Sequence, residues 1–165
     1  MDELIAQIRA ARDAGLYYLA LMGTLMLPDI CGALDSDNGR ATASKFKDWL
    51  KANVPEQAGD AAAIYGLRCS LLHQGTMLPH GGHLPIACTY PHPSVPQFHR
   101  CLTEIGGDSV WWLSIPMFVD EVTSGAEAWF VKHGKTARVK RNMEKFVRLR
   151  MEGLPPHIVG APVIA

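Results

Sequence analysis

Two side chains suited to phosphate chemistry, Arg68 and His73, lie five residues apart at the end of an otherwise apolar helical pattern. Arginine is a permanent cation whose planar fork of donors matches phosphate oxygens, and histidine has an ordinary pKa of about 6.5, which allows proton transfer near neutral pH. Gly75 marks the expected end of the helix. The pair predicts a phosphate-handling site, although the same residues at a helix end can simply bond its last carbonyl groups.

The spacing of this pair predicts something about its surroundings. On a regular helix five residues turn the side-chain direction by about 140°, so Arg68 and His73 are expected to diverge rather than stack on one flank. A second copy of the same helix across a two-fold axis would place two arginines and two histidines around one cleft. The sequence therefore predicts a homodimer around this helix.

The segment LRCSLLHQG at residues 67–75 resembles the signature of the HEPN superfamily, an arginine followed by four to six residues and a histidine near a helix end. The upstream segment LPDICGAL at residues 27–34 adds to this resemblance, which extends over residues 15–75. It is similar to bacterial proteins of that superfamily that have no assigned function. No family pattern is placed on the rest of the chain.

The resemblance implies a metal-independent endoribonuclease that needs no cofactor. His73 would remove the proton of the ribose 2′-hydroxyl or protonate the leaving 5′-oxygen, and Arg68 would stabilise charge on the transition state. Ser70 and Gln74 are candidate supporting residues. The resemblance also implies a setting in stress response or phage defence, with RNA and an antitoxin or other protein as possible partners.

One residue departs from the pattern of many active HEPN members, in which the arginine is followed by asparagine, aspartate or histidine. Here Cys69 occupies that position, and a thiol is a poor hydrogen-bonding substitute. The alternative function is therefore a non-catalytic helical module that binds a protein, a nucleotide or RNA. A nucleophilic Cys69–His73 pair is a further alternative, but no orienting acid is near it in sequence.

The rest of the chain predicts a mainly α fold, an antiparallel bundle of four or five helices with a small β insertion, in one domain over residues 1–165. Apolar residues recur every three or four positions, and Pro28 is expected to end or kink the first helix. Proline, glycine and short apolar runs predict strands in the insertion, with a hairpin turn at Gly106 and Gly107. The predicted helices cover about residues 2–27, 42–54, 60–74, 116–133 and 135–152, and the insertion about 84–115.

The charge of the chain is unevenly distributed although the total is zero. Residues 132–150 contain eight basic residues and one acid, a net charge of +7, so the remainder carries −7. A basic helix face is often only solvated, but it can follow a phosphate backbone or attach to an acidic protein surface. The candidate nucleic-acid-binding residues are Lys135, Arg138, Arg141, Lys145 and Arg148.

Composition is that of a compact domain, with 48% hydrophobic and 19% charged residues. The acidic start does not resemble a signal peptide, and no apolar helix is expected to approach the roughly 18 residues of a membrane span, so we expect a cytoplasmic protein without membrane attachment. The loop histidines and two nearby cysteines match no standard zinc spacing, so no metal site is predicted from them. These residues are His80, His83, Cys88, His92, His99 and Cys101.

Overall fold

The computed structural model describes all residues from Met1 to Ala165, and 51% of them are helical, which confirms a mainly α fold. Helix α1 covers Asp2–Asp13, α2 Tyr17–Leu34, α3 Ala43–Asn53, α4 Ala61–Gln74, α5 Ile115–His133 and α6 Ala137–Met143. A short 3₁₀ turn, Pro55–Gln57, follows α3. The helices therefore number six rather than four or five.

The predicted helix over residues 2–27 is two helices, and its predicted end is wrong. Gly15 adopts a left-handed backbone (φ +74°), which glycine tolerates without steric cost, and the chain restarts as α2 at Tyr17. Pro28 then lies inside α2, which continues to Leu34. A proline removes one helical hydrogen bond, and the buried position of Pro28 shows that packing on the neighbouring helices outweighs that loss here.

Helix α2 is the central element of the fold. It packs against α1, α3, α4, α5 and α6, and Leu25, Leu27 and Cys31 are completely buried in the core that these helices share. Full burial of one such leucine stabilises the fold by about 1.5–3 kcal/mol. By length (18 residues) and mean hydropathy (1.3), α2 would also be able to cross a membrane, but half of it is buried inside the protein. The apolar segment is longer than expected because Pro28 does not end it.

Helix α5 completes the core by approaching α3 closely. A Cβ atom added at Gly125 would lie 2.5 Å from the carbonyl oxygen of Asn53 and 3.0 Å from Val54. Two ion pairs join α5 to α1, between Arg9 and Glu127 (2.5 Å) and between Arg12 and Asp120. Helix α5 is therefore held against α3 by close packing and against α1 by ion pairs.

The segment between α4 and α5 contains a three-stranded sheet. Strand β1 covers Ile86–Thr89, β2 Cys101–Ile105 and β3 Asp108–Ser114, in the order β1-β3-β2. Strand β1 is parallel to β3, whereas β2 is antiparallel to β3 across the tight turn at Gly106 and Gly107, both at positive φ. Strand β3 leads directly into α5, so the sheet is fixed at the start of that helix.

The last predicted helix, over residues 135–152, is wrong in its second half. Thr136 caps α6 by accepting a hydrogen bond from the backbone of Val139, and the helix ends at Met143. Beyond it the chain forms short antiparallel pairs, Leu149–Arg150 with Val163–Ile164 and Gly153–Leu154 with Ile158–Val159. The C-terminal segment therefore provides pairing partners for residues that would otherwise continue the helix.

Candidate functional site

Arg68 and His73 come together at the end of α4. The guanidinium Nη1 of Arg68 lies 3.2 Å from the imidazole Nε2 of His73, so the prediction that the two side chains diverge is wrong. The two positions face different directions around the helix, but the arginine side chain is long enough to reach the imidazole of His73. His73 lies in the last turn of α4 and is exposed. Gly75 ends the helix in the left-handed conformation, as its position in the sequence predicts.

The contact between these side chains fixes the form of the imidazole. A guanidinium group has only N–H donors, so Nη1 of Arg68 donates and Nε2 of His73 accepts. The imidazole is then neutral, with its proton on Nδ1. In this state the lone pair that a general base needs is already occupied by Arg68.

Asp29 on α2 is the third member of the site, and the prediction of the site residues did not include it. Its Oδ2 lies 2.6 Å from Nε of Arg68, and the two side chains are 15% and 23% exposed. The atoms are close, but their angle is not that of a hydrogen bond, so the contact is an ion pair without a directed bond. Arg68 thus lies between the carboxylate of Asp29 on its buried side and the imidazole of His73 on its exposed side.

The environment of Asp29 opposes ionisation. Burial raises the pKa of Asp29, and the charge of Arg68 counteracts this by favouring the carboxylate. The ion pair therefore keeps Arg68 in place at a cost in desolvation. This arrangement is typical of a positioned functional arginine as well as of a structural one.

No family model, curated protein or solved structure matches this chain. The HEPN resemblance therefore remains a resemblance of two segments. What the site can do follows from its own geometry: an arginine for phosphate oxygens, a neutral imidazole for proton transfer and a carboxylate that orients the arginine.

The two candidate supporting residues occupy different environments. Ser70 is only 2% exposed and faces the interior, so the structure does not place its hydroxyl beside the exposed imidazole of His73. Gln74 is exposed in the last residue of α4 and is free to reach a ligand. The burial of Ser70 therefore does not support a role for its hydroxyl in place of the polar group that Cys69 lacks.

Cys69 interacts with Tyr65 rather than with an acid and base pair. The neighbouring Cys69 thiol, one helical turn further along α4, raises the pKa of Tyr65, and burial raises it further. The charges of Arg68 and Asp29 have smaller, opposite effects on the pKa of this hydroxyl, and Tyr65 lies three residues before Arg68 on α4. Its ring packs edge-on against Phe46 of α3 at a centroid distance of 5.2 Å.

The basic segment does not form one helical phosphate-binding face, because α6 ends before Lys145 and Arg148. Two of its arginines bind the loop after α2: Arg138 pairs with Asp35 (3.3 Å) and Asp37 (3.0 Å), and Arg141 donates to the Asp37 carbonyl (2.9 Å). The guanidinium of Arg148 donates to the carbonyl of Met143. Among the five predicted nucleic-acid-binding residues, Lys135 and Lys145 remain exposed without an ion pair, so this surface carries less available charge than predicted.

A second histidine centre lies at the junction of the sheet and α5. His99 is almost fully buried, with its side chain 4% exposed; its Nδ1 accepts from the backbone N–H of Ser114 (3.1 Å) and its Nε2 donates to Glu121 (3.0 Å). The amide of Gln57 donates to the other oxygen of Glu121 at 2.6 Å. No three histidine, cysteine or carboxylate side chains in the protein are placed to hold one metal ion. Nothing in the sequence distinguishes His99 from the exposed loop histidines.

Proposed function

We propose that the protein is a HEPN-like endoribonuclease that cleaves RNA without a metal ion, with Arg68 and His73 as its catalytic pair. The observation that carries the proposal is the 3.2 Å contact between their side chains, in which the imidazole remains exposed. Asp29 supports it as a positioning residue, because its carboxylate orients Arg68 from the buried side. A cytoplasmic role in stress response or phage defence, with an antitoxin as a possible partner, is proposed from the resemblance alone.

The proposed reaction is a transesterification within the RNA chain. The 2′-oxygen forms a bond to phosphorus, the bond from phosphorus to the 5′-oxygen breaks, and the products carry a 2′,3′-cyclic phosphate and a 5′-hydroxyl. One proton leaves the 2′-hydroxyl and one is delivered to the leaving 5′-oxygen. General acid–base assistance of this kind is worth about 10²–10⁴-fold in rate.

Substrate binding would prepare the histidine for this step. A phosphate that accepts hydrogen bonds from Nη1 of Arg68 competes with Nε2 of His73 for the same donor. Release of that contact frees the lone pair of the imidazole to accept the proton of the 2′-hydroxyl. The neutral imidazole in the free protein is thus the form that a general base requires.

We propose that two copies of this helical chain form a homodimer. Leu19 and Met26 are seven residues apart on α2, are 60% and 44% exposed, and lie on the face that reaches Asp29 one turn later. Exposed apolar residues in such a row on a helix are typical of protein interfaces. Because Arg68 and His73 of one chain contact each other, a second copy is not needed to bring an arginine and a histidine together. Light scattering after size exclusion tests the dimer, and Leu19→Glu together with Met26→Glu is expected to produce monomers.

Degradation of RNA in excess chelator tests the catalytic proposal. The wild-type protein is expected to cleave single-stranded RNA, whereas Arg68→Ala and His73→Ala lose about 10²-fold or more of the rate. His157→Ala is the matched control, because His157 is exposed in the C-terminal segment and its side chain makes no hydrogen bond. Equal cleavage by all four proteins, or by none, would overturn the proposal.

A non-catalytic interaction module is the alternative function, and one observation favours it. Asp29 already neutralises Arg68, so less of the arginine charge is left for a transition state. The sequence adds that Cys69 stands where many active members have a polar side chain. In that case the protein would bind RNA, a nucleotide or a protein without cleaving it. Binding of uncleaved RNA by the wild-type protein would separate this function from catalysis.

A further inference from the structure

A lysine lies next to the site on a helix that the sequence did not connect with it. The Nζ of Lys47 on α3 is 6.0 Å from the centre of the Tyr65 ring, within the range of a cation–π contact. Tyr65 is one helical turn before Arg68, and its hydroxyl is within reach of the charges of Arg68 and Asp29. Phe46 supports the other part of the Tyr65 ring. Lys47, Tyr65 and Arg68 therefore form a continuous row across α3 and α4.

The charges along this row are unequal. Arg68 is paired with Asp29 at 2.6 Å, so the two together carry no net charge, and His73 is neutral while Arg68 donates to it. Lys47 forms no ion pair with any carboxylate. A polyanion approaching the site would therefore meet its uncompensated positive charge at Lys47 rather than at Arg68.

We propose that Lys47 binds a second phosphate of a single-stranded RNA, next to the phosphate held by Arg68, with the Tyr65 ring between the two. An aromatic ring beside a basic side chain is the arrangement that proteins use to follow single strands, because the cation binds the backbone and the ring accepts a base or sugar. Lys47 takes this role only if Arg68 and His73 act on RNA, so the subsite rests on the proposed function. Its chemistry is phosphate binding, and it takes no part in proton transfer.

Binding measurements on a cleavage-deficient protein test the subsite. In the His73→Ala background, affinity for a fluorescent single-stranded RNA of about 10 nucleotides is measured by anisotropy over a range of salt concentrations. Lys47→Ala is expected to weaken binding about fivefold at about 0.1 M salt and to reduce the slope of log affinity against log salt by about 0.7, the value for one phosphate contact. Lys47→Arg is expected to keep most of the affinity, since it preserves the charge.

Lys51→Ala is the matched control, because Lys51 is an exposed lysine one turn further along the same helix and also lacks an ion pair. Equal losses in Lys47→Ala and Lys51→Ala would show a diffuse charge effect and would overturn the subsite. If the parent protein binds RNA and Lys47→Ala changes neither affinity nor slope, the subsite is wrong while the ribonuclease proposal stands. If the parent protein binds no RNA, the subsite is wrong, and cleavage by the wild-type protein in chelator decides the ribonuclease proposal separately. Unchanged thermal unfolding of Lys47→Ala shows that the fold is intact.

Discussion

The molecule contains two histidine centres that are built from similar groups and differ in almost every other respect. His73 is exposed, contacts Arg68 through one nitrogen and leaves the other nitrogen free for solvent or ligand. His99 is buried, and both of its nitrogens are engaged, one by Ser114 and one by Glu121. The first centre therefore has an unused hydrogen-bonding group, and the second has none.

This difference shows what each centre can do. A satisfied buried histidine joins elements, here the sheet to the start of α5, and its loss leaves a buried N–H group without a partner. An exposed histidine beside a held arginine contributes little to folding and remains available to a substrate. Four predictions, described from the largest expected effect to the smallest, test the two centres and the packing around the first.

The largest effect is expected for catalysis at the first centre. Arg68→Ala and His73→Ala should each slow RNA cleavage by about 10²–10⁴-fold, and the double variant should be slowed by much less than the product of the two effects. The reason is that the two side chains contact each other and, in the proposed mechanism, act on one phosphate. Single-turnover rates at saturating protein measure the three effects. If the rate loss of the double variant equals the product of the two single losses, the residues act independently. Arg68 would then have no part in the proton transfer by His73.

A large effect on stability is expected at the second centre. His99→Ala should lower the free energy of unfolding by about 2–3 kcal/mol, because it removes two buried hydrogen bonds and leaves the N–H of Ser114 unpaired. His73→Ala should change it by less than about 0.5 kcal/mol, as expected for an exposed side chain. Urea unfolding followed by circular dichroism gives both values. A similar loss in the two variants would contradict the distinction between the centres.

The packing behind the first centre should be sensitive to added volume. A Cβ atom at Gly66 would lie 2.5 Å from the carbonyl oxygen of His80 and 3.1 Å from Cβ of Pro79, so Gly66→Ala should cost about 1–3 kcal/mol. Gly59→Ala is the matched control, since Gly59 has open space and no left-handed backbone. Thermal unfolding of both variants tests the contact between α4 and the following loop. Equal stability of the two would show that the loop does not rest on Gly66.

The smallest effect is expected in the pH dependence of stability at Asp29. Because burial raises the pKa of Asp29 in the folded state, the folded protein keeps this proton at higher pH than the unfolded chain. The contribution of Asp29 to stability therefore falls as pH rises from its ordinary pKa, about 3.9, to its raised value, and is constant above that. The stability of Asp29→Asn relative to wild type should rise with pH over this window. A relative stability that falls with pH would mean that Arg68 lowers the pKa of Asp29 more than burial raises it.

Some features of the fold could be predicted from local sequence patterns, and others could not because they depend on backbone conformation or on contacts with other segments of the chain. Local patterns predicted the helix that carries Arg68 and His73, its glycine end and the strands around the turn at Gly106. The break at Gly15 uses a left-handed backbone that the apolar spacing does not reveal, and the continuation through Pro28 depends on packing against other helices, which can override local preference. The C-terminal strands pair with segments 4 to 15 residues further along the chain, and this pairing replaces the helix that the apolar spacing over residues 135–152 predicts.

Within the site, the arginine and histidine were found by type and spacing, but their contact and their partner were not. Ideal helix angles ignore the length of the arginine side chain, which is why the two residues were expected to diverge. Asp29 is distant in sequence and meets Arg68 only because α2 packs against α4. One signal was present: Asp29 is the only charged residue within the apolar α2, and a lone acid in such a helix predicts a buried partner.

The most direct test is the identity of the ends produced when the purified protein cuts a defined single-stranded RNA in excess chelator. Mass spectrometry of the fragments should show a 2′,3′-cyclic phosphate and a 5′-hydroxyl for the wild-type protein and for His157→Ala, and intact RNA for Arg68→Ala and His73→Ala. Intact RNA with every protein, or the same cyclic-phosphate fragments from His73→Ala at the wild-type rate, would contradict a catalytic pair of Arg68 and His73.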